Sequence, residues 1–396
     1  MSLGKGRREG ITVKKTKQTS GRTKICFVAL GAYPLLAEEP PKNVIGPDVH
    51  QVLLAKELIK HDFKITFITY DEGGAPVEYI NGIKVIKIYN ITYRLHIINT
   101  VLKIFHIWNA IRKAKANIYI HAGGAAGAVS PFCRVVKKKY VYDIASDALV
   151  NKEIITKKNK EFTRSKFNIG TFGNWLDIKL ADAIIVQSEF QKKMLKKNFD
   201  KDSMTIKMPF PLSRQGMPDK AKPPIVLWVG AMAEVKQPEL FVRLAKVMPD
   251  GRFQMLGGGN QELYDRIRES SNRISNFEFL GVIPFDEINE YFSRASILVN
   301  TSMFEGFPHA FIQAWMHYVP VVSLNADPDE IICKCKMGIH SKTFNQLVED
   351  VKTLLKDKQL REEMGKNGRH YVEREHDITK IINEHVEVFE QVLLDG

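Results

Sequence analysis

Cysteine is scarce in this chain. Four in 396 residues, Cys26, Cys133, Cys333 and Cys335, do not make the dense framework that staples small secreted domains. The Cys333-Lys334-Cys335 pair lacks zinc spacing and a second ligand pair, so two incidental thiols and no metal site are expected. No apolar run approaches the ~18 residues of a membrane span, and no signal peptide precedes the first strand, so a cytoplasmic protein is expected. What remains is a chain too long for one ordinary core and suited to two soluble domains.

Acidic residues are scarce at the front. Residues 1–25 carry eight Lys/Arg against one acid and residues 26–210 carry 28 against 17, whereas residues 211–396 carry 22 against 27. An asymmetry of this size implies that the front of the molecule meets something anionic. Nucleic acid, phospholipid headgroups and a phosphorylated acceptor all qualify. Nucleic acid rests on charge alone, without a basic strand interleaved with aromatics or a zinc spacing, and is not expected as a partner.

Two similar beginnings organise the rest. "KICFVALG" from Lys24 is a continuous apolar run ending in glycine, as a buried parallel strand should be. After a loop comes a helix that Asp48 can cap, striped by Val52, Leu53, Leu58 and Ile59, then a strand over Lys64–Tyr70. The second beginning is a strand over Ile225–Gly230, a helix carrying Leu240, Phe241, Leu244 and Val247, and the strand "RFQMLGGG". Strands and helices keep alternating in both halves, which specifies an α/β fold of two Rossmann-like domains facing a cleft. The division is a basic disordered tail over 1–23, a first domain over 24–210, and a second over 211–377. A C-terminal amphipathic helix over 378–396 completes the chain.

The candidate chemistry lies in loops at strand ends. "NTSMFEGFPHAFIQAWMHYVPVVSLN" from Asn300 reads as a polar loop, a helix beginning near Pro308, and a buried strand. The stripe Phe311, Ile312, Trp315, Met316 and Val319 sets the helix's buried face. The helix's unpaired first N–H groups and positive dipole end suit phosphate oxygens. Glu305 and Gln313 can take hydroxyls of a sugar and a ribose; equally, they can be a capping acid and a surface amide. Lys236, six residues after Gly230, can place an ammonium over a diphosphate, or be a solvated loop lysine. Gly257, Gly258 and Gly259 permit close backbone approach. Val282 and Ile283 can meet a nucleobase or simply pack. His121 ends a strand as a cleft-lining candidate or a structural histidine, and Asp143 and Asp147 can hold acceptor hydroxyls or cap strand ends.

Together these residues resemble the retaining GT-B glycosyltransferases of family 4, the glycosyl transferases group 1. The order Gly230-Ala231-Met232, Lys236, Gly257–Gly259, "FLGVI", "EYFSRASILVNTS" and Glu305-Gly306-Phe307-Pro308 matches the family's pattern over roughly 225 to 345. Gly46, His121 and "LADAIIVQSEFQKKML" extend it more coarsely into the first half. "EGFPHAFIQAWMHYVPVVSLNADPDEII" is similar to a branch linked to surface-polysaccharide assembly.

The resemblance implies a first domain for the acceptor, a second for a nucleotide-diphosphate-sugar donor, and a C-terminal helix crossing back to the first. It implies that Glu305 holds the donor sugar, Lys236 the diphosphate, and the backbone of Gly306, Phe307, Pro308, His309 and Ala310 the phosphates. The implied acceptor is a glycan or a lipid-linked sugar; no cofactor and no metal are implied. Four departures stand out: Ala231 for the family's arginine, Gln313 for its second acid, Gly46-Pro47 for its Gly-Gly, and Ala145-Ser146-Asp147 where a histidine is frequent. They leave open the alternative of a catalytically weakened nucleotide-sugar-binding protein. A segment over Tyr93–Ala116, apolar over a wide helical arc with Arg94, Lys103, Arg112, Lys113 and Lys115 interleaved, reads as a packed crossover helix or a membrane-surface helix. With the basic front, it points to a peripheral enzyme on an anionic membrane.

Overall fold

The computed structural model describes residues 23–39, 46–89, 96–123, 125, 127–151, 169–212, 216–284 and 287–395. The basic tail expected to be disordered lies outside the described residues, apart from Thr23.

The first half forms one sheet from β1 (Lys24–Val28), β2 (Lys64–Tyr70), β3 (Val77–Ile80), β4 (Ile83–Ile88), β5 (Ile118–His121), β6 (Lys139–Ile144), β7 (Ala183–Val186) and β8 (Met204–Thr205). Its order is β3-β4-β2-β1-β5-β6-β7-β8. Alternation of buried residues along β1 supplies both faces. Ile25 and Phe27 enter one core, Cys26 and Val28 the other, which is why the strand reads as unbroken hydrophobicity. The sheet is not wholly parallel as expected: β3 runs antiparallel to β4 at the edge. Asn81 and Gly82, both at positive φ (49° and 83°), form the tight two-residue turn that favours such a hairpin.

The second half forms a sheet from β9 (Ile225–Val229), β10 (Arg252–Leu256), β11 (Phe277–Gly281), β12 (Ile297–Asn300), β13 (Val321–Ser323) and β14 (Gly338–His340). All its pairings are parallel, in the order β11-β10-β9-β12-β13-β14. The strand order reverses between β9 and β12 here, and between β1 and β5 in the first sheet. Loops part at such switch points and leave crevices at the carboxyl ends of the strands.

The halves are tied together at the back. Phe210 bridges to Asp377 and His376 Nδ1 lies 2.9 Å from the carbonyl of Met208. The helix Ile378–Leu394 then returns to the first domain, burying Ile381, Ile382, Val388, Phe389 and Val392 in its core. The helix expected over Tyr93–Ala116 is present as His96–Ala114 and packs onto the first sheet through Ile107, Ala110, Ile111 and Ala114.

Candidate active site

Three loops of the second domain converge. The amide of Gly230 donates to the carbonyl of Leu256 at 3.1 Å, and Met232 donates to Gly258 at 2.8 Å. Gly257 is required by this contact: a Cβ there would lie 1.8 Å from the carbonyl oxygen of Gly230. Thr301 Oγ1 donates to the carbonyl of Lys236 at 2.7 Å and accepts from Trp228 Nε1 at 3.0 Å. The turn Glu234–Lys236 is thereby fixed against the end of β12.

This fixation brings Lys236 to Glu305. The ammonium lies 2.5 and 2.7 Å from the two carboxylate oxygens, and the pair is partly open to the cleft. Ser302 Oγ donates to Glu305 at 2.6 Å, while Asn300 Nδ2 stands 3.5 Å away. The carboxylate is therefore neither a helix cap nor a free surface charge. It is held by three polar groups, of which Ser302 and Asn300 were not singled out from the sequence, although both sit in its "NTS" loop.

The helix that follows spans His309–Met316, with Pro308 at its N-cap in an extended conformation and no side-chain cap. Its first amides are left to a ligand or water. Phe311, Ile312 and Trp315 are fully buried, at roughly 1.5–3 kcal/mol each, and Trp315 meets Tyr371 edge-on at 5.7 Å. Gln313 is not a surface amide: it is 5% exposed and its side chain has no hydrogen-bond partner among the described residues. His309 is pushed down to about 3 by burial, with His50, Lys236 and His376 adding to it, so the imidazole is neutral.

The first domain brings a second helix start to the same place. A Cβ on Gly46 would lie 3.1 Å from His309 Cδ2, so the helix Gly46–Leu58 begins beside the start of His309–Met316. Asp48 does not cap it as expected. The carboxyl is buried, takes a hydrogen bond from the Gly31 backbone, and is raised to about 7 by burial. Gly306 closes the opposite wall: a Cβ there would lie 2.6 Å from the carbonyl oxygen of Ala145 and 2.9 Å from Gln191 Nε2. Gln191 Nε2 donates to Asp147 Oδ1 at 3.0 Å. Burial raises Asp147 to about 7, the Gln191 hydrogen bond opposing and the charges of Glu305 and Asp329 adding.

Other expected residues fall elsewhere. His121 is fully buried, accepts from the Ala125 amide at 3.0 Å, stacks on Tyr142 and sits 3.9 Å from Asp177. It belongs to the interior of the first domain and does not line the cleft. Asp143 is buried 3.2 Å from His50. Val282 follows β11 and is 36% exposed, whereas Ile283 packs partly onto the core. Phe307 is buried in that core beside His376, so only its backbone is available. Asp-x-Asp spacing does occur, at Asp200/Asp202 and Asp327/Asp329, but the first pair holds Lys196 and the second bonds backbone amides. Among the described residues no three possible ligands gather into a metal site.

The strand order reverses in both sheets and a helix start from each domain meets between them, an arrangement of the GT-B fold. Residues 210–371 match the family model of glycosyl transferases group 1. The chain is 26% identical over 196 residues to an uncharacterised glycosyltransferase of Methanocaldococcus jannaschii, an alignment covering 48% of this chain and 54% of that protein. The chain thus spans about half the length of this curated relative. Among solved structures, sucrose-phosphate synthase of Thermosynechococcus elongatus superposes with a TM-score of 0.78 at 16% identity, covering 95% of this chain and 100% of that one. HepE of Anabaena in complex with UDP-glucose superposes at 0.70 with 14% identity, covering 93% and 100%. The chain resembles group 1 glycosyltransferases through its second domain, and the GT-B fold extends over nearly all of it.

Proposed function

We propose that this chain is a retaining glycosyltransferase that moves a hexose-type sugar from a nucleotide-diphosphate sugar to a glycan or lipid-linked acceptor. The observation that carries the reading is the juxtaposition of Lys236 and Glu305 with the uncapped start of His309–Met316, faced by the start of Gly46–Leu58. Two helix N-termini and an ammonium favour a diphosphate. A carboxylate beside them accepts hydrogen bonds from sugar hydroxyls, and Gln313 offers its unpartnered amide to a ribose. The group 1 match and the binding of UDP-glucose by HepE support the donor class.

In this reading the acceptor oxygen bonds to the sugar's C1 as the bond from C1 to the diphosphate oxygen breaks. The leaving diphosphate takes the acceptor's proton. Lys236 and the helix amides stabilise the charge left on that diphosphate, which is where a fixed electrostatic environment lowers the barrier. No side-chain nucleophile is needed. Incubation with a panel of nucleotide sugars tests the reading: release of nucleoside diphosphate from one of them supports it, and no release from any, with membrane acceptors present, refutes it. Ala231 and Gln313 favour the second reading, a nucleotide-sugar-binding protein that turns over weakly. Tight binding without turnover, restored by Gln313→Glu, would select it.

We further propose that the enzyme works in the cytoplasm, peripherally on the inner face of the cell membrane. No described helix is long and apolar enough to cross a membrane. The outer side of the helix His96–Ala114 exposes Val101 and Phe105, and the first domain carries the chain's excess of basic residues. A lipid-linked acceptor in a polysaccharide assembly route would be met there.

A further inference from the structure

We propose that Asp329 is a positioning residue: its carboxylate, carried by the second domain, caps a first-domain helix and sets that domain's wall of the cleft in register with Glu305 and Gly306. The helix spans Glu189–Phe199. Asp329 Oδ2 accepts from the Glu189 amide at 3.0 Å and Oδ1 from the Phe190 amide at 2.9 Å. The helix already has a cap of its own in Ser188, whose hydroxyl accepts from the Gln191 amide at 3.1 Å. The helix start is thus shared: one cap is local, and the other comes from the opposite domain. Both carboxylate oxygens are engaged in charge-assisted bonds at a positive dipole end, and Lys207 stands 3.7 Å away.

The backbone at Asp329 is costly. Asp329 and Glu330 are consecutive non-glycine residues in the left-handed region, at φ 52° and 61°. Residues with a Cβ hold such positions only where the surroundings over-determine them. Here Asp327 pins the turn from within, its Oδ1 accepting from the Ile332 amide at 2.8 Å. Within the second domain a glycine would serve better at 329. The carboxylate's bonds all lead to the first domain, Lys207 included, and this marks the turn as a clasp.

The clasp reaches the cleft through Gln191, in the first turn of the capped helix. Gln191 Oε1 accepts from the Gln187 amide at 2.8 Å while Nε2 donates to Asp147, and the same Nε2 bounds the space beside Gly306. A helix released from Asp329 carries Gln191 with it, and Asp147 loses its register with Glu305. This role in transfer rests on the function proposed above; the clasp itself is measurable without turnover.

Hydrogen exchange resolved to single amides, together with small-angle X-ray scattering, tests the clasp on the full chain, Asp329→Gly and Asp329→Asn. Glycine suits the left-handed backbone and has no acceptor; asparagine tolerates that backbone and keeps one. In Asp329→Gly the Glu189 and Phe190 amides should exchange about tenfold faster or more, and the radius of gyration should increase. The Gln191 amide, bonded to Ser188, should change less. Asp329→Asn should fall between. With UDP-glucose as probe, kcat should fall while UDP affinity holds, because the diphosphate is held mainly by the second domain. Unchanged exchange and scattering in a folded Asp329→Gly would overturn the proposal. Should that variant not fold, parent-like exchange in Asp329→Asn would do the same. A chain that bound no nucleotide sugar would refute the function and leave the exchange result standing.

Discussion

The Lys236–Glu305 pair is the smallest unit on which the proposed function rests. Each residue neutralises the other at 2.5 Å, and a diphosphate sugar would replace that pairing with its own phosphate and hydroxyls. Glu305→Gln keeps the shape and the Ser302 contact but loses the charge. Turnover of nucleotide sugar should fall by roughly 10²–10³-fold, as for loss of one preorganised electrostatic contact, while melting temperature stays near that of the parent. Asp147 adds a pH signature. Its pKa in the fold, about 7, lies above that of a free carboxyl, about 3.9, so folding favours the protonated form. That contribution is present in full below about pH 4 and is lost as pH rises through about 7. Asp147→Asn, which keeps an oxygen for Gln191, should therefore melt roughly 2–5 °C above the parent at pH 8 and near it at pH 4. Equal shifts at both pH values, measured by calorimetry, would contradict the burial argument.

At the scale of elements, the site depends on helices and turns that cannot shift independently. Gly257→Ala places a methyl against the Gly230 carbonyl, and separating the two loops should cost at least 3 kcal/mol of stability, read as a fall in the urea midpoint. The strands and the His309–Met316 helix were legible in the sequence because their burial has a period. Continuous apolar runs gave β1, β2 and β9, and the stripe from Phe311 to Val319 is buried throughout. Gly-Phe-Pro after Glu305 marked the helix start within one residue. Less legible was everything set by a partner distant in sequence. Asp48 has the composition of a cap, yet it bonds Gly31 across a loop. Of the apolar residues on its helix, Val247 is 47% exposed, while Val242 and Ala245 take inward positions. His121 ends a strand that points toward the crevice, but burial against Tyr140, Tyr142 and Asp177 claims its ring. Asp329, Gln191 and Ser302 carried no signal of their own, since an Asp or Gln in a loop or first turn has many commoner uses.

The whole molecule is two sheets whose switch points face each other, joined behind by the returning helix Ile378–Leu394. Charge divides along the same line, with a basic first half and an acidic second. Vesicles rich in phosphatidylglycerol should co-sediment the protein and neutral phosphatidylcholine vesicles should not, with binding weakened as salt shortens the screening length below about 10 Å. Equal partition to both would remove the membrane proposal without touching the cleft. The cleft itself is probed by titration calorimetry with nucleotide-diphosphate sugars on the parent, Lys236→Ala and Glu305→Gln. One nucleotide sugar should bind the parent, and both variants should bind it at least tenfold more weakly. Parent-like affinity in both variants would contradict this, because the ligand would then sit away from the start of the His309–Met316 helix.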